Sequence, residues 1–167
     1  MAAERTVVLE HERIQRKLRR IAFQVYEENV NETGLVLVGV APRGAKLAAR
    51  LKAHLEEISP LKVELHELVL DKDAPIKGAA TLGKGEVKLD GRVVVLVDDV
   101  LMSGRTLMYA AAHLITAPLK RLTTVVLVDR RHRTFPIRAD IVGLTLTTTV
   151  QEHISVEFGR KDTVYLS

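Results

Sequence analysis

Short runs of branched apolar residues recur along this chain, separated by stretches of different character. The runs that predict strands are residues 35–40, 63–70, 92–97, 124–128, 141–146, 154–158 and 163–166. Apolar runs of this length suit strands that are buried on both faces of a sheet. Where helices separate such strands, right-handed crossovers make the sheet mostly parallel. The pattern therefore predicts an α/β fold with a mostly parallel central sheet flanked by helices.

Three stretches of helical periodicity lie between these runs. In the first, from about residue 10 to 29, five apolar residues form one helix face: Ile14, Leu18, Ile21, Ala22 and Val25. The second covers about 44–58, and the third begins near Gly104 and ends before Pro118. Each helix is expected to bury its apolar face against the sheet.

Size and composition narrow the class of protein. The chain has 167 residues, 47% hydrophobic and 28% charged, so we expect residues 1–167 to form one domain. The absence of cysteine excludes disulfides and thiolate chemistry. A net charge of +4 permits an anionic partner without requiring one. No apolar run suits a signal or a membrane span, so we expect a cytoplasmic protein with no membrane partner.

Residues 93–106 combine a predicted strand, two carboxylates and a loop of small residues. Asp98 and Asp99 follow the aliphatic run, and Ser103 and Gly104 precede a helix. Ligands of open α/β sheets bind beyond the carboxyl ends of the strands, and a helix N-terminus attracts phosphate. The spacing is neither that of a Walker A loop nor that of a GxGxxG dinucleotide turn. The segment predicts a phosphate loop beside carboxylates that accept from sugar hydroxyls; a helix cap next to a plain turn is the alternative.

Residues 71–90 differ from the rest of the chain because they are rich in glycine and lysine and show little periodicity. A weakly structured segment of this length in a compact domain is typical of a functional flap or hairpin. We therefore expect this segment to cover a site.

Residues 93–106 resemble the signature of the type I phosphoribosyltransferases, in which an apolar strand is followed by two acids and a Thr/Ser-Gly-Arg/Lys-Thr loop. The similarity extends along nearly the whole chain to the PyrR-type branch of that family, through residues 37–44, 128–133 and 136–143. Members of this branch are uracil phosphoribosyltransferases, and some also regulate pyrimidine operons by binding RNA. The resemblance implies the type I phosphoribosyltransferase fold.

The resemblance also implies a reaction. The donor would be phosphoribosyl pyrophosphate (PRPP) with Mg²⁺, and a nucleobase, first of all uracil, would displace pyrophosphate. A mobile flap would cover about 71–90, and a small hood would comprise about 141–167 with an N-terminal contribution. Asp98 and Asp99 would be the catalytic pair, holding the ribose hydroxyls and favouring a transition state of oxocarbenium character. The loop for the 5′-phosphate would consist of Leu101, Met102, Ser103, Gly104, Arg105 and Thr106.

A second anion site is implied after the first buried strand. The pyrophosphate would lie against Ala41, Pro42, Arg43 and Gly44, and Lys72 would reach it when the flap closes. Arg43 would meet the pyrophosphate directly, and the family often has an unusual cis peptide in this loop. An ordinary turn with a surface arginine is the alternative.

The remaining implied contacts concern the base and the metal. The base would lie against Ile141, Val142 and Gly143, with Arg131 and His132 as further candidates. Mg²⁺ would be held mainly by oxygens of PRPP, near the carboxylate pair, without a dedicated protein site. The six histidines show no metal-ligand spacing.

Two alternatives stay open at the level of sequence. One alternative is an RNA-binding regulator with weak or no catalysis, and another is transfer to hypoxanthine or guanine. Two basic clusters fit RNA phosphates in outline: Arg13, Arg16, Lys17 and Arg20, and Arg130, Arg131, Arg133 and Arg138. With only 4% aromatic residues the chain offers few stacking platforms for bases, so RNA is not the favoured partner. The family further implies a homodimer or a larger homo-oligomer.

Overall fold

The structure, a computed structural model, describes residues 4–71 and 80–167 and contains two sheets and three helices in those ranges. The elements in chain order are β1 (Thr6–Leu9), α1 (His11–Glu27), β2 (Gly34–Val40), α2 (Arg43–Ile58), β3 (Lys62–Val69), β4 (Thr81–Leu82), β5 (Val93–Leu101), α3 (Arg105–Leu114), β6 (Arg121–Asp129), β7 (Ile141–Thr145), β8 (Ile154–Glu157) and β9 (Thr163–Leu166). The larger sheet has the order β4-β3-β2-β5-β6-β7. Its last five strands are parallel and β4 is antiparallel, which confirms the predicted α/β fold.

The central strands are buried on both faces, which explains their continuous apolar runs. Successive side chains of a strand point to opposite faces. Leu35 and Leu37 of β2 therefore pack with α1 and α2, whereas Val36 and Val38 pack in the cluster that contains α3. The five apolar residues predicted for one face of α1 are all buried.

β5 is longer than the sequence predicted. The expected strand ended at Val97, but pairing with β6 continues through Val100↔Val128 and Leu101↔Asp129. The expectation that the strand ends before the two carboxylates was therefore wrong. The apolar pattern stops at the two carboxylates, so it predicted too short a strand. The strand itself continues, because strand pairing uses backbone hydrogen bonds.

A second, antiparallel sheet of three strands has the order β1-β9-β8. β1 was missed in the sequence, since this four-residue strand forms only by pairing across the length of the chain, with Val7 opposite Tyr165. β7 belongs to the larger sheet, so residues 141–145 of the predicted hood lie outside the small sheet. Asp162 is 1% exposed and accepts hydrogen bonds from Arg50 and Gln15, which fastens the small sheet to α1 and α2.

The predicted flap is only partly covered by the structure. Residues 72–79, and with them Lys72, lie outside the described residues. The strand β4 after them pairs with β3, through Leu68↔Leu82 and Val69↔Thr81. In the described part of the chain, the helices are too short or too polar to cross a bilayer.

Candidate active site at the carboxyl ends of β2 and β5

A pocket of about 230 Å³ opens beyond the carboxyl end of β5. It is lined by Asp98 and Asp99, by residues 100–104 and by Thr106. The structure therefore brings the predicted carboxylate pair together with most of the predicted 5′-phosphate loop. Such a crevice beyond the carboxyl ends of parallel strands is the usual ligand position in open α/β sheets.

The two carboxylates are almost enclosed by protein. Asp98 is 4% exposed and Asp99 is 8% exposed. The carboxylate Oδ1 of Asp98 accepts the backbone N–H of Asp99 at 2.9 Å, which fixes its orientation. The Nε of Arg43 lies 4.0 Å from Oδ2 of Asp99. Two neighbouring carboxylates beside Arg43 form a site that suits hydroxyl donors or a cationic transition state.

Close contact between α2 and β5 puts Arg43 beside Asp99. A Cβ on Gly44 would lie 2.7 Å from the carbonyl oxygen of Val97 and 3.1 Å from Oδ1 of Asp98. Any larger residue at position 44 would push the helix away from the strand. The glycine therefore allows the start of α2 to approach the carboxylate pair.

The loop before α2 contains the peptide bond Ala41–Pro42, which is cis, as the family resemblance implied for this loop. The amide of Ala41 donates to the carbonyl of Leu68 at 2.9 Å, which ties the loop to the end of β3. Residues 41–44 thus reach the rim of the pocket through Arg43, whose side chain is 51% exposed. A half-exposed guanidinium at a helix N-terminus can meet an anion from solvent.

The second loop turns at Gly104, in the left-handed region with φ of +85°. A Cβ there would also lie 2.7 Å from Cγ2 of Ile137. Ser103 Oγ accepts the amide of Arg105 at 3.2 Å, and Ser103 O accepts the amides of Thr134 and Phe135, each at 3.0 Å. The loop is therefore held in one shape at the N-terminus of α3, where backbone amides and the helix dipole favour phosphate.

Residues 129–137 support this loop from behind. Arg133 donates from Nη1 to the carbonyl of Met102 at 3.0 Å, from Nε to the carbonyl of Ile137 at 2.8 Å and from Nη2 to Oδ2 of Asp129 at 2.7 Å. The sequence reasoning treated Arg133 as one member of a basic cluster and missed this role. The signal was available as an Asp-x-x-x-Arg spacing directly after the aliphatic run of β6.

The further candidates Arg131 and His132 lie beside the pocket and do not line it. Arg131 has φ of +60°, which is uncommon for a residue with a side chain, and its amide donates to Oδ1 of Asp129 at 2.8 Å. Nε2 of His132 lies 2.5 Å from the carbonyl oxygen of Thr148. Arg131 therefore helps to shape the loop that follows β6, and His132 links this loop to the segment after β7.

The predicted base contacts are not brought into the pocket. Ile141 is 3% exposed and belongs to the core. The carbonyls of Val142 and Gly143 accept from Arg20 at 2.7 Å and 3.1 Å, and that of Gly143 also accepts from Lys17 at 3.1 Å. These hydrogen bonds hold α1 against the edge strand β7.

The same contacts show that some residues of the two predicted basic clusters bind within the molecule. On α1, Lys17 and Arg20 are engaged with β7. Burial lowers the pKa of Lys17, and the neighbouring charges of Arg20 and Arg13 act in the same direction. In the second cluster, Arg130 is 4% exposed. Of the eight predicted cationic residues, four thus donate side-chain hydrogen bonds within the molecule: Lys17, Arg20, Arg130 and Arg133, of which Arg20 stays exposed.

The donor set fits Mg²⁺ only together with substrate oxygens. Among the described residues, no group of three or more His, Cys, Asp or Glu could hold a metal ion. Asp98 and Asp99 supply carboxylate oxygens, the hard ligands that Mg²⁺ prefers, and Mg²⁺ commonly uses one or two carboxylates with substrate phosphates. The residues present therefore suit a metal that arrives with a phosphorylated substrate.

Known proteins resemble this chain over most of its length. Residues 5–162 match a family model described as a phosphoribosyl transferase domain. The chain is 41% identical to the bifunctional protein PyrR of Citrifermentans bemidjiense, over 96% of both chains. It is 40% identical to the bifunctional protein PyrR of Streptomyces coelicolor, over 93% of this chain and 84% of that protein.

Solved structures show the same fold. A hypoxanthine phosphoribosyltransferase of Trypanosoma cruzi superposes with a TM-score of 0.75 at 22% identity, covering 84% of this chain and 81% of that one. A hypoxanthine-guanine phosphoribosyltransferase of Bacillus anthracis superposes with a TM-score of 0.71 at 23% identity, with the same coverage of 84% and 81%. At this identity the likeness concerns the fold alone.

Proposed function

The chain belongs to the phosphoribosyltransferase family, and on that basis we propose that it transfers the phosphoribosyl group of PRPP to uracil, forming UMP and pyrophosphate. One observation carries the proposal: a buried carboxylate pair lies between two strand–helix loops that suit anions. The groups of PRPP follow a matching arrangement: its ribose, which would face the carboxylates, lies between two anionic groups, the 5′-phosphate and the pyrophosphate. The similarity to proteins named PyrR supports the pyrimidine acceptor.

The roles of the residues follow from this order. The 5′-phosphate binds to the amides and hydroxyls of the loop 101–106. Asp98 and Asp99 accept hydrogen bonds from the ribose hydroxyls, and Arg43 binds the pyrophosphate. The bond from C1′ to the pyrophosphate oxygen breaks, a bond from C1′ to the uracil nitrogen forms, and that nitrogen releases its proton to solvent. Positive charge develops on the ribose as the first bond breaks. The adjacent carboxylates stabilise that charge, which lowers the barrier.

Mg²⁺ enters the proposal with the donor. When bound, it neutralises charge on the pyrophosphate and makes it a better leaving group. The pair Asp98 and Asp99 would hold it together with oxygens of PRPP. A donor this highly charged does not cross a bilayer unaided, so the proposed reaction belongs to the cytoplasm.

The base is better received by residues 146–152 than by residues 141–143. Ligands bind beyond the carboxyl ends of strands, and 146–152 is the segment that leaves the carboxyl end of β7. Its Thr148 is also joined to His132, a candidate for this site. The proposal therefore moves the base site a few residues along the chain from the sequence-based one.

An RNA-binding regulator is the second candidate, because the similar proteins carry the word bifunctional in their names. Arg16 supports it, with a side chain that is 80% exposed. Lys17 and Arg20 count against it, because both donate to β7. Filter binding of pyrimidine-leader RNA over a salt series tests this candidate, and equal affinity for unrelated RNA would eliminate specific regulation.

A homodimer or larger assembly is also part of the proposal. Exposed large apolar side chains support it: Phe23 is 42%, Met108 is 38% and Ile115 is 62% exposed. Size-exclusion chromatography with light scattering measures the mass of the assembly. A monomer at micromolar concentration would contradict this part of the proposal.

The main experiment measures pyrophosphate release from PRPP and Mg²⁺ with uracil, hypoxanthine, guanine or no base. Release with uracil alone is the expected result. Release with a purine would keep the donor site and overturn the proposed acceptor. No release with any base, together with PRPP binding detected by calorimetry, would favour the regulator.

A further inference from the structure

Arg130 connects two parts of the site that lie far apart in the sequence. On one side, its Nη1 lies 2.8 Å from the sulfur of Met102 in the 5′-phosphate loop. On the other side, Nε donates to Oγ1 of Thr148 at 3.0 Å, and Nη2 donates to the carbonyls of Thr149, at 3.4 Å, and Glu152. One guanidinium thus spans from the phosphate loop to the segment 146–152.

The connection is buried and directional. Arg130 is 4% exposed and Thr148 is 7% exposed, so water does not compete strongly for these hydrogen bonds. The amide of Arg130 also donates to the carbonyl of Leu101 at 2.9 Å, which fastens the residue to the start of the phosphate loop. A buried guanidinium is costly to desolvate, and its planar fork can donate in several directions at once. Arg130 is therefore better suited to linking two segments rigidly than to acting as a single positive charge.

We propose that Arg130 is a positioning residue that couples the 5′-phosphate loop to residues 146–152. A phosphate bound in the loop fixes Met102, the guanidinium of Arg130 is held with it, and residues 146–152 are ordered for the base. The inference rests on the proposed function, because both ends of the connection are sites assigned there. Coupling of this kind is reciprocal, so a bound base raises the affinity for the phosphate by the same factor.

Arg133 provides a matched control in the same loop. It also contacts the phosphate loop, through the carbonyl of Met102 at 3.0 Å. Its other side-chain partners are Asp129 and Ile137, and the described contacts of Arg133 do not include residues 146–152. Arg133 therefore supports the phosphate loop without reaching the segment for the base.

The kinetic test compares Arg130→Gln with Arg133→Gln in the full-length protein. We expect Arg130→Gln to raise the KM for uracil by about tenfold, the effect of losing one hydrogen bond from a charged donor, and the KM for PRPP by less than about threefold. Arg133→Gln is expected to raise the KM for PRPP more than the KM for uracil. Equal changes in both KM values for Arg130→Gln would reduce Arg130 to a general structural role and overturn the proposal.

A milder variant covers the case that Arg130→Gln does not fold. Thr148→Val removes the hydroxyl acceptor of Arg130 at nearly constant volume and leaves the carbonyl that faces His132 in place. Thr148→Val is expected to raise the KM for uracil by a smaller factor than Arg130→Gln does. An unchanged KM for uracil in folded Thr148→Val would count against the connection.

A second readout does not depend on catalysis. Ribose 5-phosphate carries the phosphate without a base, and hydrogen–deuterium exchange reports order in residues 146–152. We expect ribose 5-phosphate to slow exchange in this segment in the wild type and in Arg133→Gln at saturation, but not in Arg130→Gln. Slowed exchange without turnover of any base would keep the coupling and overturn the proposed acceptor. Binding without slowed exchange in the wild type would overturn the coupling alone, and no binding would overturn both.

Discussion

The two loops that flank the carboxylate pair are built from the same unit but suit anions in different ways. Each follows a buried parallel strand, and each leads into a helix that begins with arginine, Arg43 in α2 and Arg105 in α3. The first loop presents the half-exposed side chain of Arg43 beside Asp99. The second turns at Gly104 and presents backbone amides and hydroxyls. A strand–turn–helix unit can therefore bind an anion either through a side chain or through its backbone.

The two solutions need different support. A long arginine side chain can follow a moving anion, and the first loop is held by the close contact of Gly44 with β5 and by the amide of Ala41 on the carbonyl of Leu68. A backbone cradle has no such freedom, and the second loop is braced by Arg133 and by the amides of Thr134 and Phe135. We therefore expect the proposed 5′-phosphate end of the site to be the more rigid one. The proposed pyrophosphate end should adapt more easily.

Asp99 lies between the two loops, and its replacement should have the largest effect. Asp99→Asn keeps the size of the side chain but removes the negative charge beside the developing cation. We expect kcat to fall by roughly 100-fold, the usual order for one group that stabilises transition-state charge. Steady-state pyrophosphate release measures it, and thermal unfolding should be little changed. The exposed Asp90→Asn is the control, and wild-type turnover in Asp99→Asn would contradict the assigned role.

Gly104→Ala should distinguish the rigid loop from an ordinary turn. Gly85 has a similar φ of +87°, but a Cβ there would meet nothing within 4 Å. Both alanine variants carry backbone strain of roughly 1–2 kcal/mol. Only Gly104→Ala also crowds Ile137, which adds roughly 1–3 kcal/mol. Denaturant unfolding should show the larger loss for Gly104→Ala, and its KM for PRPP should rise severalfold while that of Gly85→Ala stays near the wild type.

Arg43→Gln and Arg105→Gln compare the first residues of the two helices. Arg43 is expected to bind through its side chain, whereas Arg105 belongs to a loop that is expected to bind through its backbone amides and hydroxyls. Arg43→Gln should raise the KM for PRPP by about tenfold, since a charged hydrogen bond is lost, and Arg105→Gln should change it by less than about twofold. Product inhibition by pyrophosphate should weaken only in Arg43→Gln. Equal effects of the two variants would remove the distinction between the loops.

The smallest effect concerns the response of α2 to acid. Burial lowers the pKa of His54; Glu57 opposes this shift and Arg19 adds to it. The unfolded chain then binds a proton more readily than the folded one as pH falls below about 6.5. This contribution therefore lowers the free energy of unfolding as pH drops through that range, and it is absent at higher pH. His54→Gln should flatten the loss of stability between about pH 7 and pH 5 in urea unfolding, and an unchanged slope would contradict it.

Much of the fold could be read from local patterns. The helix face from Ile14 to Val25 and the runs of β2, β5 and β6 are periodic over many residues, and the structure confirms them. β1 and β4 were missed: β4 has only two residues, whereas the four-residue run of β1 is as long as those of β8 and β9, which were predicted. The apolar pattern also missed the end of β5, where pairing with β6 continues past the two carboxylates.

The residue types and their spacing fix the chemistry available here: adjacent carboxylates after an aliphatic run, glycines at the start of two helices and no thiols. These are properties of residue type and spacing, which need no tertiary contact. Which of these groups meet depends on how the chain folds. The tertiary structure set Arg43 beside Asp99, engaged Lys17 and Arg20 with the carbonyls of β7, and buried Arg130 between two loops. Those pairings depend on sheet order and on helix packing over many residues of separation, which one-dimensional patterns do not record.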